Sequence, residues 1–175
     1  INTDLLIENI HFSELTTSPE DIGWKAIVTN VSDLASSGST EIVGFTVGLV
    51  TPPKTSWNWV EKLYTGMKKA INEFGGEILG GDCSAGNEKM ISITAIGKTS
   101  LLRLHRANAL PGDCLVASGH HGLSRLGLAL LTSDQRLKKE VLSKDLIKQA
   151  IKAHQRPYPP VKALKQLIRS KPSEL

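Results

Sequence analysis

Cysteine is scarce in this chain: Cys83 and Cys114 are the only two in 175 residues. No metal-type spacing joins them, so neither a disulfide framework nor a cysteine metal centre is expected. Cys83 reads as a small buried filler beside Asp82. Aromatic side chains are also few, at 5%. A basic run occupies the last third, including Lys138, Lys139, Lys144, Lys148, Lys152, Arg156, Lys162, Lys165, Arg169 and Lys171, but Tyr158 is its one aromatic. Nucleic-acid binding calls for a basic stripe interleaved with stacking rings. The run is therefore expected to be a solvated helix face, with no nucleic-acid partner. No apolar run approaches the roughly 20 residues needed to span a bilayer, and no signal-peptide pattern is visible. A cytoplasmic location without a membrane partner follows as an expectation. The chain has no initiator methionine and opens inside a strand pattern, so it is expected to be a fragment.

What is present suits an ordinary globular chain. Apolar residues make up 40%, enough for a core, and net charge is +4. A mildly basic surface steers anionic substrates. Strand and helix patterns alternate, which predicts an α/β (α+β) fold. Ile1 to Ile7 reads as a strand. Ser18-Pro19-Glu20-Asp21 is a helix start, with Ser at the cap, Pro at the first position and acids in the first turn. Trp24, Ile27, Val31 and Leu34 then give one apolar face, ending near Gly38. Glu41 to Val50 reads as a strand, and Ser56 caps a second helix. Glu77 to Leu79 reads as a short strand ending at a Gly80-Gly81-Asp82 turn. Met90 to Thr99 is another strand. Cys114 to Ala117 is expected to open a second α/β unit, followed by helices over Leu123 to Leu131 and Asp145 to His154.

Three aspartates stand out: Asp4, Asp33 and Asp82. Each follows apolar residues, sits beside small ones, and is expected where a strand or helix end meets a loop. Mg²⁺ is usually held by one or two carboxylates together with phosphate oxygens. Three carboxylates from separate elements therefore suggest a polynuclear Mg²⁺–phosphate site.

The segments around them occur in a distinctive order. Asp4 precedes His11-Phe12 by a fixed spacing, Asn30-Val31-Ser32-Asp33-Leu34-Ala35 follows, then Gly80-Gly81-Asp82, then Arg106 with Gly112-Asp113. In order and spacing this set resembles the thiamine-monophosphate kinase family, within the AIR-synthetase-like (PurM-like) ATP-binding superfamily. The resemblance runs from residue 1 to about residue 160. It implies a PurM-like N-terminal domain, with a mixed sheet and flanking helices, over residues 1–110. It also implies the beginning of a C-terminal α/β domain over 111–175. It implies a homodimer joined through first-domain strands.

The resemblance further implies ATP as co-substrate, several Mg²⁺ ions, and thiamine monophosphate as acceptor. Thr3, Asp4, Asp33 and Asp82 match the metal site. Tyr64, Gly81, Asp82 and Arg106 match the ATP site, and His11 the substrate site. No residue is assigned as a catalytic acid or base. The acceptor is a phosphate monoester whose second pKa is about 6, so a strong base is unnecessary. His120 and His121 look like a metal pair, but neighbours on a turn rarely aim at one ion. The chain departs from the family at Glu8-Asn9 and at Ser36-Ser37-Gly38, both turn or small-residue changes. The family's upstream Gly-Asp-Asp and downstream Ser-Asp-Gly-Leu segments fall outside these 175 residues. The chain alone is therefore expected to have little activity. Competing expectations are a selenophosphate-synthetase or hydrogenase-maturation enzyme of the same superfamily, and a non-catalytic nucleotide-binding fragment.

Overall fold

The Ser18 hydroxyl accepts the Asp21 N–H at 3.2 Å, and Pro19 opens helix α1, Pro19–Ser36. Ser56 accepts the Trp59 N–H at 3.3 Å and starts α2, Trp57–Phe74. Both starts follow from local chemistry: the cap oxygen satisfies a donor that the first turn leaves free. In this computed structural model the described residues are 1–99, 104–119, 121–137 and 141–170.

Four strands form one sheet: β1 (Asn2–Ile7), β2 (Ser39–Thr51), β3 (Ile78–Ala85) and β4 (Met90–Thr99). Their order is β1-β4-β2-β3. The β1–β4 and β2–β4 pairs are antiparallel and β2–β3 is parallel, giving the expected mixed sheet. On one face Leu6, Phe45, Val47, Leu49, Ile91, Ile93 and Ala95 are buried. They form one core with Ile22, Ala26, Ile27, Leu63 and Met67 of α1 and α2. Burying each large side chain of this kind contributes about 1.5–3 kcal/mol. The opposite face is open and more polar. Thr3 and Thr94 meet there at 2.9 Å, and Leu5 is 40% exposed.

The two helices approach closely where glycines face each other. A Cβ on Gly23 would lie 1.9 Å from the Leu63 carbonyl oxygen, and one on Gly66 1.8 Å from that of Glu20. Neither position has room for a side chain.

Beyond the sheet come α3 (Leu123–Leu131), α4 (Lys144–Gln155) and α5 (Val161–Ser170). The first two match the sequence expectation. The third was hidden behind Pro157-Tyr158-Pro159-Pro160, which reads as a terminator. Two further expectations fail. The chain does not turn at Gly80-Gly81-Asp82: after a register irregularity between Ile78 and Gly80, β3 continues to Ala85 in regular parallel register with Thr46 to Thr51 of β2. Cys114 to Ala117 is not a strand. Leu115 and Val116 stand exposed, and among the described residues no strand pairs with them. Among the same residues no helix is long and apolar enough to cross a membrane.

Candidate functional site

Asp4 and Asp33 reach one cavity from different elements. Asp4 comes from the middle of β1 and Asp33 from the last turn of α1. The cavity measures about 400 Å³ and is also lined by Thr29, Ser32 and Pro157 to Pro159. On β1, Asn2, Asp4 and Leu6 point toward α1 because side chains alternate along a strand. The amide of Asn2 donates to Asp4 Oδ2 at 3.3 Å and to Asn30 Oδ1 at 3.1 Å. Asn30, fully buried, in turn donates to the Ala26 carbonyl at 3.0 Å. This chain of bonds ties the Asp4 carboxylate to α1 one turn before Asp33. Two carboxylates, a nearby hydroxyl and room for a phosphate suit the way Mg²⁺ is held, with few protein oxygens and several from phosphate or water.

The predicted metal set does not converge as a whole. Thr3 and Asp4 are neighbours on a strand, so their side chains leave opposite faces; Thr3 Oγ1 is engaged with Thr94 on the open face. Asp82 is farther away still. The sheet register aligns Leu5, Ser92, Gly48 and Asp82 in one row, and Asp4, Ile93, Val47 and Gly81 in the next. Asp82 thus belongs with the Thr3 face, on the edge strand opposite β1. Three strand spacings separate them, roughly 14 Å. Its carboxylate accepts the Ser84 hydroxyl, at 3.1 Å. Within one chain, Asp82 and Thr3 therefore do not join Asp4 and Asp33 on a shared ion. Among the described residues no three His, Cys, Asp or Glu side chains are grouped to hold a metal.

Other expectations divide in the same way. Gly81 is required by the fold, since a Cβ there would lie 1.9 Å from the Val47 carbonyl oxygen. Tyr64 on α2 lies beside Cys83 of β3, and burial, then the Cys83 charge, raise its pKa above the ordinary 10.0. Tyr64, Gly81 and Asp82 therefore belong to one edge of the molecule. Cys83 is exposed rather than a buried filler, because β3 is an edge strand. Arg106 opens a single 3-10 turn, Arg106–Asn108, and is exposed. His121 is exposed; its neighbour His120 lies outside the described residues.

His11 lines a second cavity, about 590 Å³, between the β1–α1 loop, α1 and the α3–α4 pair. Its Nδ1 accepts the Ile7 N–H at 3.1 Å, which leaves Nε2 as the ring's proton-bearing nitrogen. Asp4 borders this cavity as well as the first, so the two meet at one carboxylate. Lys25 and His154 also line it, although sequence reasoning singled out neither. Neither carried a signal in the sequence, because α1 and α4 bring them to the cavity only through tertiary packing.

Residues 1–99 match the family described as AIR synthase related protein, N-terminal domain. The chain is 58% identical over 173 residues to the thiamine-monophosphate kinase of Prochlorococcus marinus, covering 98% of this chain and 52% of that protein. It is similar in structure to thiamine monophosphate kinase from Aquifex aeolicus, with TM-score 0.83 and 31% identity over 95% of this chain and 54% of the other. A structure of AaThiL complexed with AMPPCP and TMP superposes with TM-score 0.77 and 29% identity, covering 95% of this chain and 51% of the other. The chain thus spans about half the length of the curated relatives it matches.

Proposed function

The chain belongs to the AIR synthase related protein family, and we propose that it supplies the metal- and nucleotide-binding part of an enzyme that phosphorylates thiamine monophosphate from ATP. The observation that carries this reading is the placement of Asp4. It stands between a cavity shared with Asp33 and a cavity opened by His11. That arrangement supports a phosphate-and-metal site next to a site for an acceptor. The similar AaThiL structure holds AMPPCP and TMP together, a nucleotide analogue and an acceptor of this class.

Asp4 and Asp33 would hold Mg²⁺, whose charge neutralises the phosphate oxygens of two polyanions brought together. His11 would orient the acceptor from the loop after β1. Ser32, on the same side of α1, would offer its hydroxyl to phosphate oxygens, whereas the Thr29 hydroxyl is donated back to the Lys25 and Ala26 carbonyls. Tyr64, Gly81, Asp82 and Arg106 remain assigned to the nucleotide. Thr3 and Asp82 stay in the metal site only with groups supplied from beyond this sheet face. The open face, with Thr3, Leu5 and Thr94, is where a second copy would dock to form a homodimer. Residues 1–110 form the ATP- and metal-binding unit, residues 111–175 begin a second unit, and the setting is cytoplasmic.

The relatives named above are thiamine-monophosphate kinases, which weighs against the selenophosphate-synthetase and hydrogenase-maturation alternatives. Protein containing these 175 residues within the full-length chain should release ADP when given Mg-ATP and thiamine monophosphate. ADP release with selenide instead would replace this reading by the first alternative. Nucleotide binding without turnover on any acceptor would favour a binding module.

A further inference from the structure

The His11 cavity carries a positive charge with no assigned use. Lys25, on α1, points its ammonium at the loop after β1 and donates to the His11 carbonyl at 3.2 Å. Among the described residues it forms no ion pair. An ammonium has three donors, so this bond leaves two. Lys25 is partly buried, and that burial lowers its pKa below the ordinary 10.5. A cation drawn out of water without a counter-charge is costly, and an anionic ligand relieves that cost.

His154 of α4 faces the same space. It is 8% exposed, with Nδ1 at 3.4 Å from the Ser124 hydroxyl. Burial and then the Lys25 charge hold its imidazole below the ordinary 6.5, so it offers a neutral N–H rather than a second full charge. Among the described residues Asp4 is the one carboxylate lining the cavity, at the border with the Asp33 cavity. Phe12 and Leu128 give apolar wall. A ligand with a flat apolar body and a phosphate group matches these features.

We propose that Lys25, with His154 as a second donor, binds the phosphomonoester group of the acceptor and so sets the preference for thiamine monophosphate over thiamine. The assignment rests on the His11 cavity being the acceptor site. The ammonium makes a charge-assisted bond to the phosphate. A site built around such a bond rejects an analogue that lacks the group, because its donors are then left unpaired.

The test is isothermal titration of the full-length protein with thiamine monophosphate, thiamine and inorganic phosphate. Lys25→Met keeps the aliphatic stem and removes the charge. It should weaken thiamine monophosphate binding by about ten- to a hundredfold, leave thiamine binding within about twofold, and abolish competition by inorganic phosphate. Lys25→Arg should recover much of the loss, and His154→Gln should give a smaller one. Thermal melts establish that each variant is folded. Equal weakening of both thiamine compounds, or unchanged thiamine monophosphate affinity, overturns the proposal. Lys25-dependent binding of inorganic phosphate without any binding of thiamine monophosphate leaves the anion site standing and removes the kinase reading instead.

Discussion

The indole Nε1 of Trp24 donates to the carbonyl oxygen of Pro157 at 2.8 Å, joining residues 133 positions apart. This bond is one of several that strap the segment after α4 across α1. Arg156 pairs with Asp21 and Glu20 and lies 5.5 Å from the Trp24 ring. Gln155 donates to the Thr16 carbonyl at 2.7 Å. Phe74 meets Trp24 edge-on at 5.9 Å and Tyr158 at 5.1 Å. Pro157 to Pro159 then wall the cavity of Asp4 and Asp33. The strap thus fixes α4, and with it His154, against the first helix.

Trp24→Phe keeps the ring contact with Phe74 and removes the donor. The Pro157 carbonyl then loses its partner, at a cost of about 1 kcal/mol. The expected result is a modest drop in urea midpoint at unchanged slope. An unchanged midpoint would show that the strap does not depend on this bond.

Gly66→Ala should cost more. The added methyl would sit 1.8 Å from the Glu20 carbonyl oxygen, a backbone atom that moves only if the helices part. Overpacking of this kind costs typically 1–3 kcal/mol. Chemical denaturation compares it with Gly75→Ala, whose Cβ meets nothing within 4 Å but sits at φ 97°. A loss at Gly66 with no local backbone strain isolates the helix–helix contact.

The Glu8–Lys89 pair predicts an acid dependence. Lys89 Nζ lies 2.7 Å from Glu8 Oε1, and the Lys89 N–H donates to Oε2 at 3.2 Å. Burial pushes the Glu8 carboxyl up, but the Lys89 bonds and charge outweigh it, so its pKa falls below the ordinary 4.5. A depressed folded-state value means that the carboxylate stabilises the fold above the unfolded pKa. That contribution is lost as pH falls below 4.5 and through the folded value. Melting temperature should therefore drop from pH 6 to pH 3 by more in the parent than in Glu8→Gln. Parallel curves for the two proteins would exclude this pair as a source.

Much of the fold was legible because it is local. Ser18 with Pro19 and Ser56 with Trp59 announce helix starts through contacts three residues away. The aspartates were legible singly, but their convergence was not. Whether Asp4 meets Asp33 or Asp82 depends on strand order and on which face each position takes, and neither is written in spacing alone. Gly80-Gly81 reads as a turn because glycine is frequent there, yet Gly81 is needed to let β3 lie against the Val47 backbone. Leu115 and Val116 read as strand because they are apolar, but a strand needs a neighbour for its backbone groups. Arg156, Lys25 and His154 acquire their roles from elements more than a hundred residues apart or from cavities, beyond the reach of periodicity.

Asp33→Asn and Asp82→Asn together test how the proposed metal ligands are divided. Asp33 lies across a 400 Å³ cavity from Asp4, whereas Asp82 stands on the other sheet face beside Ser84. The carboxamide keeps the shape of the side chain and removes the charge that a hard divalent cation requires. Asp33 is exposed in the last turn of α1, so its replacement should leave the fold intact. The expected result for Asp33→Asn in the full-length protein is a loss of turnover of about a hundredfold or more, the scale of removing one electrostatic stabiliser from a phosphate site. Raising Mg²⁺ should recover part of it, because mass action offsets a weakened ion. Asp4→Asn should behave alike, and the double variant should lose little more than either single, since both act through one ion. Asp82→Asn should instead weaken nucleotide affinity at limiting Mg²⁺ and combine additively with Asp33→Asn. Titrating Mg²⁺ against steady-state rate for the parent, the three single variants and the two double variants decides it: additivity between Asp4 and Asp33 would place them on separate ions, and strong coupling of Asp82 to Asp33 would require a second chain to bring the two faces together.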